Sequence, residues 1–500
     1  MKGKKILIIS IIIILILALC VGGIALAYMK TDFLKSEQEL FYKYMLSAGE
    51  KLSSMQSAEL EAYLERTKNN PYENKSKLSV NVDIPEGMAP GLTQDYWQIV
   101  NNLNITFNGK VDNSNKRVEQ DISINYSDNV SFPLQYKRNE ELYAITSNLV
   151  LRTFLGVKNE NLQKLYENVG GSQMVSVPDK IDTSMLDITK EDILNEVKKA
   201  KQILEENITE ANFVKIDDNS FALVLNEQEA NTIITKELEQ FQNSNILPKS
   251  IRSNIAEILT QARNLKNPSA EFLKIVVTKD NKISVILQGT SIMNIQINDG
   301  EVVIASKTTD NNPEDVSIII KKIQVANGVT YRVEYIVAED NNNSKITVDA
   351  QFTDMTAQEV KENYLVALEL TQGTNAVSYE YNFETTKNFA EIVRIEPIKE
   401  SDVFLMNNAN KEYLETLIPA IVSTFSEINK TQMQTIGLTE DKNPLIYATP
   451  IGYLMITLSN SISQNLENSN NQINQENEIT NQIENNINSQ INNIQNSNNV

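Results

Sequence analysis

Five hundred residues, 41% of them hydrophobic, exclude a wholly disordered chain, and the length suggests two or three domains. A formal charge of −20 makes the surface repel phosphate backbones and anionic head groups, so no nucleic acid is expected as a partner. With no histidine and a single cysteine, Cys20, the chain lacks Ser-His-Asp chemistry, imidazole metal sites and intramolecular disulfides.

Ile6 to Met29 read as 24 residues with Ser10 the only clearly polar side chain. As a helix they would extend about 36 Å, enough to cross a hydrocarbon core of about 30 Å. Lys2, Lys4 and Lys5 precede the run, so the positive-inside bias puts residues 1–5 in the cytoplasm and the body outside the cell. Removing those three from 45 basic residues leaves 42 against 65 acidic ones outside. The expected protein is therefore single-pass, held in the cell membrane by Ile6–Met29. Two processing alternatives remain: Ala25-Leu26-Ala27 fits a signal-peptidase site, and Leu17-Ala18-Leu19-Cys20 approaches a lipobox, with Leu19 where a small residue is usual.

Residues 31–68 read as one helix with Leu34, Leu40, Phe41, Tyr44, Met45, Leu52 and Met55 at helical spacing. Heptads are not sustained, so this stripe is expected to pack on the following sheet. From about 75 to 147 the period becomes two, as in Leu78, Val80, Val82, Ile84 and in Ile122, Ile124, Tyr126. Asn108-Gly109 and Asp112–Asn115 read as turns between these strands. A short helix over about 149–168 closes the first domain, residues 31–180.

Helices are expected near 189–206, 227–242 and 250–266, with one strand over 214–226. After Pro268 a long meander of apolar runs extends to AEIVRIEPI, punctuated by Asn/Asp/Gly turns, and completes a second domain over 181–405. The predicted fold class is thus α+β: an N-terminal transmembrane helix followed by two helix-plus-antiparallel-meander domains, with curved half-barrel sheets as one form. A helix over 408–430 and the apolar run Pro444–Ser459 make a C-terminal segment, 406–459, packed on the body. The tail, 460–500, is rich in Asn and Gln and is expected to be disordered.

The chemistry left without histidine or thiol is carboxylate pairs, a Ser-Lys dyad or an oxygen-ligand metal site. Ser317 and Lys321, four apart in an alternating run, read as one sheet face. Glu205-Glu206 and Glu140-Glu141 read as solvated surface. Asp310–Asp315 and Glu339–Asn343 gather calcium-type oxygens but lack EF-hand spacing, and read as hairpin turns. Tryptophan would be expected in a glycan-stacking platform, and Trp97 stands alone in a linker-like region. No catalytic residue, metal site or cofactor is assigned.

YMKTDFLKSEQELFYKYML, residues 28–46, resembles the juxtamembrane start of an uncharacterised family of anchored surface proteins of low-GC Gram-positive bacteria, which carries no assigned activity. More loosely, helix-plus-meander units resemble the half-barrels of envelope lipoproteins that carry lipids. The expected function is non-enzymatic binding or structure in the envelope, with an unknown envelope protein or ligand as partner. The alternative is a carrier holding a lipid or other apolar ligand in a curved sheet.

Overall fold

The computed structural model describes residues 35–85, 94–127, 130–149, 151, 153–168, 190–242, 271–307, 315–339, 342–372, 375–389 and 393–435. In chain order the elements are α1 (Glu37–Ser53), α2 (Ala58–Asn69), β1 (Tyr72–Asp83), α3 (Gln94–Asn102), β2 (Asn104–Asp112), β3 (Arg117–Ser127), β4 (Val130–Asn139), β5 (Leu142–Thr146), β6 (Phe154–Lys158) and α4 (Leu162–Asn168). There follow α5 (Lys190–Asn207), β7 (Phe213–Asp217), β8 (Ser220–Asn226), α6 (Glu227–Gln242), β9 (Glu271–Thr278), β10 (Lys282–Leu287), β11 (Thr290–Asn298) and β12 (Glu301–Lys307). The last are β13 (Asp315–Val325), β14 (Gly328–Glu339), β15 (Asn342–Thr353), β16 (Glu359–Gln372), β17 (Asn375–Asn388), β18 (Val403–Leu405) and α7 (Lys411–Thr435).

All eighteen strands belong to one sheet. Strands β7 to β17 pair as sequential antiparallel neighbours, and so do β1 to β6. The two runs are joined by β1 and β17, which pair antiparallel from Glu73↔Asn388 to Asp83↔Ser378. At the far end β18 adds to β6 in parallel.

This overturns the expected pair of helix-plus-meander domains: both meanders are parts of one sheet. The alternation of β1 makes it a strand with one apolar face, but alternation does not identify the neighbour on its second edge. That neighbour is the last strand of the later meander, about 300 residues downstream.

The transmembrane part of the expected fold is corrected as well. Among the described residues no helix is long and apolar enough to cross a membrane. The longest described helix, α7, carries Lys411, Glu412, Glu415, Glu427 and Lys430 along its length. The single-pass, cell-membrane assignment is therefore withdrawn, and Ile6–Met29, on which it rested, lies outside the described residues. So do the proposed processing sites, the helix over 250–266, the apolar run 444–459 and the tail.

Local corrections have local causes. The helix expected over 31–68 breaks at Ser54–Gln56 because Ser57 caps a new helix, its hydroxyl accepting from the Leu60 N–H at 3.3 Å. The sheet takes the carbonyls freed by the break: Lys322 Nζ donates to those of Ser54 and Gln56, and the Tyr331 hydroxyl donates to that of Met55 at 2.8 Å. Ser36 and Glu39 form a capping box at the start of α1. The helix expected over 149–168 is a strand, β6, and then one short helix, α4. Asp217–Asn219 turn the strand expected over 214–226 into the β7–β8 hairpin, with the Asn219 N–H donating to Asp217. The AEIVRIEPI run contributes no strand in its described part, 393–398.

Helices cover one face of this sheet in separate places. The largest core joins α1, α5 and α6 to strands β7–β12, with Phe41, Met45, Leu204, Ile233 and Leu238 against Leu223, Ile275, Val277 and Val285. A second core sets Trp97 and Val100 of α3 on Val80, Val82 and Tyr379. A smaller one sets Tyr63 of α2 on Val329, Phe352 and Val360. Each fully buried large apolar side chain contributes about 1.5–3 kcal/mol, so α1, with several, is held far more firmly than α2 with Tyr63.

Candidate apolar binding face

Cross-strand register places the apolar residues of the middle strands in rows. Ile304, Ile318, Tyr335, Ile346, Leu368, Tyr379 and Val82 are successive partners from β12 through β17 to β1. One step along the strands, Val302, Ile320, Val333, Val348, Val366, Tyr381 and Val80 make a second row. Because side chains alternate across a strand, both rows share the face that carries the helices.

The ends of these rows are covered and their middle is open. Val302 is buried in the α1/α5/α6 core, with Ile304 and Ile320 packed on it; Tyr379, Val82 and Val80 are buried in the α3 core, with Leu368 and Tyr381 packed on it. Between them Val333, Tyr335, Ile346 and Val366 are 37%, 39%, 36% and 37% exposed. Four neighbouring apolar side chains on one face of the sheet are thus each more than a third exposed.

The reverse face of the same strands is more polar, with charged pairs set among Ile319, Ile336 and Leu365. Arg332 on β14 makes a bidentate pair with Asp349 on β15, at 2.7 and 2.6 Å, and Lys345 pairs with Glu334 at 2.9 Å. The middle of the sheet thus carries its charged pairs behind and its unbroken apolar rows in front.

A buried polar network bounds the open rows on the side of α2. The Tyr63 hydroxyl donates to Glu362, whose Oε1 also accepts from Lys387 Nζ at 2.9 Å. The Lys387 ammonium lies 5.6 and 5.1 Å from the ring centroids of Tyr63 and Tyr72. Ser76 and Thr385 share a 2.6 Å hydrogen bond, and Gln120 donates to Asn74 at 2.7 Å. Burial and the Glu362 carboxylate push the Tyr63 phenol far above its ordinary range, and burial pushes Tyr72 up to about 12.

The acidic and dyad candidates are not brought into a site. Ser317 and Lys321 lie on one face of β13, where Lys321 pairs with Glu301 at 3.2 Å. Glu140 and Glu141 form the β4–β5 turn, with Glu141 3.3 Å from Lys116. Glu205 pairs with Lys201, and Glu206 accepts from Gln202 within the same helix. Asp315 opens β13, Glu339 closes β14, and Asn342 and Asn343 open β15; residues 310–314 and 340–341 lie outside the described residues. Among the described residues no three metal-ligating side chains gather. Trp97, expected in a linker, is a buried core residue of α3.

A cleft of about 470 Å³ lies on the polar face beside β2–β4, with Thr106, Asn108, Asp121, Gln135 and Phe154 in its lining. It arises because β5 ends at Thr146, opposite Gln135, and leaves the rest of β4 unpaired on that side. One buried carboxylate stands apart from both places. Glu237 of α6 is fully buried with neither oxygen hydrogen-bonded, and burial, with Glu196 nearby, pushes it up to about 7.

No known protein family matches the sequence, and no curated protein matches it. Among solved structures, one described as the CymD monoaromatic hydrocarbon channel is similar over 68% of this chain and 93% of its own, at 6% identity and a TM-score of 0.20. A mutant of the Rh. blastica porin is similar over 63% of this chain and 99% of its own, at 8% identity and a TM-score of 0.10. At these scores neither likeness bears on fold or function, and the chain stands as a sheet-rich protein described by its own geometry.

Proposed function

We propose that the protein is a non-enzymatic binding module that takes an apolar ligand on the open middle of its sheet. One observation carries this reading: two unbroken apolar rows run from one helix-capped core to another, and their central side chains are left in water. Leaving such side chains half exposed forgoes burial worth roughly 25 cal/mol per Å². A bound apolar molecule recovers it.

The test is titration of the full chain with the neutral dye N-phenyl-1-naphthylamine, whose emission rises in apolar surroundings. Saturable binding is expected, weakened at least tenfold by Val333→Asp together with Val366→Asp, with no change in melting temperature beyond a few degrees. Absence of dye binding, or equal binding by the double variant, would reject the reading.

A further inference from the structure

We infer that the cleft beside β2–β4 is a second binding site, independent of the apolar rows, and that it takes a small neutral carbohydrate. Its floor is built by register. Asn108, Asp121, Gln135 and Thr146 are successive cross-strand partners on β2, β3, β4 and β5, so their side chains stand in one row about 5 Å apart. Thr106 and Ser123, partners of each other, follow in the next row on the same face. Where β5 ends at Thr146, the Ser147 hydroxyl donates to the Pro133 carbonyl at 2.7 Å and holds the start of the β5–β6 connection against β4. The half-buried ring of Phe154 adds an aromatic surface to the lining.

The chemistry of this lining selects the ligand class. A sugar hydroxyl both donates and accepts, so it is matched by donors and acceptors set side by side with little net charge. Gln135 Nε2 donates to Asp121 Oδ1 at 3.0 Å, which leaves the other Asp121 oxygen and Gln135 Oε1 to accept. Asn108 adds two amide donors, and the Thr106 hydroxyl serves in either sense. Asn108, Asp121 and Gln135 are all exposed. The C–H groups of a sugar ring can pack on Phe154, a part that Trp97, buried under α3, cannot play.

Other occupants fit less well. Among the described residues of the lining Asp121 carries the only charge, so a phosphate finds no cation and a metal ion finds one carboxylate. Lys137, 5.9 Å from the Phe154 ring centroid, is already paired with Glu119 at 2.9 Å. A peptide strand would need the open edge of β4. That edge is blocked, because Pro133 has no N–H, its carbonyl is taken by Ser147, and the Ser131 carbonyl accepts from Gln432 Nε2 of α7 at 3.2 Å. An apolar molecule would strip water from the row of amides and carboxylate and return no partner.

The experiment is saturation-transfer difference NMR on the full chain with glucose, galactose, mannose, N-acetylglucosamine, maltose and cellobiose at millimolar concentrations, then titration of the strongest binder. At least one should bind saturably. Asn108→Ala together with Asp121→Ala should weaken it by about tenfold or more, through the loss of a hydrogen bond to a charged group. Both residues are exposed, so the melting temperature should stay within a few degrees. Gln135→Ala should weaken it independently, while Val333→Asp together with Val366→Asp should leave it unchanged. Absence of transfer to every one of these sugars, unchanged binding by either cleft variant, or tighter binding of putrescine than of any sugar would overturn the carbohydrate inference and leave the apolar-ligand reading standing. Loss of sugar binding in the Val333/Val366 variant would also overturn it, by placing the sugar on the other face.

Discussion

Tyr63 and Glu362 lie 299 residues apart in the chain and meet in the core, where the phenol of one donates to the carboxylate of the other. The contact fixes α2 on the sheet at the margin of the open rows. It also gives the buried Lys387–Glu362 pair one more hydrogen bond, from a residue that is itself fully buried. Buried ion pairs persist when every partner is satisfied, and their parts are costly to remove singly.

Tyr63→Phe, which deletes the bond the hydroxyl donates to Glu362 and the one it accepts from Lys387 at 3.0 Å and keeps the ring, is therefore expected to cost about 1–3 kcal/mol. Glu362→Met takes the counter-charge from the Lys387 ammonium, leaving it the Tyr63 hydroxyl at 3.0 Å, and should cost about 3–5 kcal/mol. Glu362→Met with Lys387→Met removes the pair as a unit and should be milder than Glu362→Met alone. Urea unfolding of the full chain gives all three values, and an additive double variant would deny the coupling.

The same phenols make the fold sensitive to alkali. Tyr42, Tyr72 and Tyr381 are each pushed up to about 12, mainly by burial, and Tyr63 further still. In the unfolded chain tyrosine releases its proton near pH 10. Folded pKa values above unfolded ones mean that the unfolded state binds fewer protons over this range, so stability is whole below about pH 10 and falls as pH rises toward 12. Phenolate absorbance should appear together with loss of the far-ultraviolet sheet signal. Smooth titration of a folded protein would contradict this.

Gly109 marks a place where the sequence reads differently in three dimensions. Asn-Gly suggests a turn, yet Gly109 lies inside β2, opposite Asn74 on one side and Gln120 on the other. The lack of a side chain lets the Gln120 amide pass over β2 to reach Asn74. A Cβ at Gly109 would overlap the backbone of Glu119 and Gln120. Gly109→Ala should cost about 1–3 kcal/mol, as overpacking does. Gly289→Ala, at a φ of +80° but with no atom nearby, should cost about 1 kcal/mol through backbone strain alone. Equal losses on thermal melting would remove the argument from close approach.

Much of the strand content was legible because alternation is local. The runs over 271–388 correspond to β9–β17, and Phe41, Tyr44 and Met45 form the buried stripe their spacing suggested, although it packs on β7–β12 and not on the strands that follow it in the chain. The turn over Asp112–Asn115 was also legible, since Asp112 accepts from the Asn115 N–H. What stayed hidden was relational. Nothing in β1 names β17, nothing near Ser57 announces that Lys322 and Tyr331 will take the freed carbonyls, and nothing in Val333 or Val366 says that no described helix covers them. The candidate face was therefore visible as apolar positions and invisible as a site.

Glu237 predicts a second pH dependence, of the opposite kind to that of a salt-bridged carboxylate. Its folded pKa of about 7 lies above the unfolded value of 4.5. The unfolded chain thus loses this proton first, and stability is whole below about pH 4.5 and falls as pH rises to about 7. The penalty at pH 8 is on the order of 3 kcal/mol, since each tenfold difference in proton affinity between the folded and unfolded chain is worth about 1.4 kcal/mol. Glu237→Met should remove that dependence and stabilise the protein at pH 8, read as a higher urea midpoint there and little change at pH 4.5.

The joining of the two meanders by β1 and β17 gives the last prediction. Val82, 2% exposed, sits opposite Tyr379, fully buried, and both belong to the core that α3 covers. If the meanders were separate domains, a charge at Val82 would unfold residues 72–158 at a lower temperature and leave β7–β16 intact. In one sheet the exposed edge of β17 and the opened core weaken both sides of the seam together. Val82→Asp buries an unpaired carboxylate and should cost several kcal/mol. Scanning calorimetry of the full chain should then show the whole unfolding signal moving down together, with hydrogen exchange accelerated in β16 and β17 as well as in β1 and β2. Two transitions, of which only one shifts, would mean that the seam carries no mechanical or thermodynamic weight.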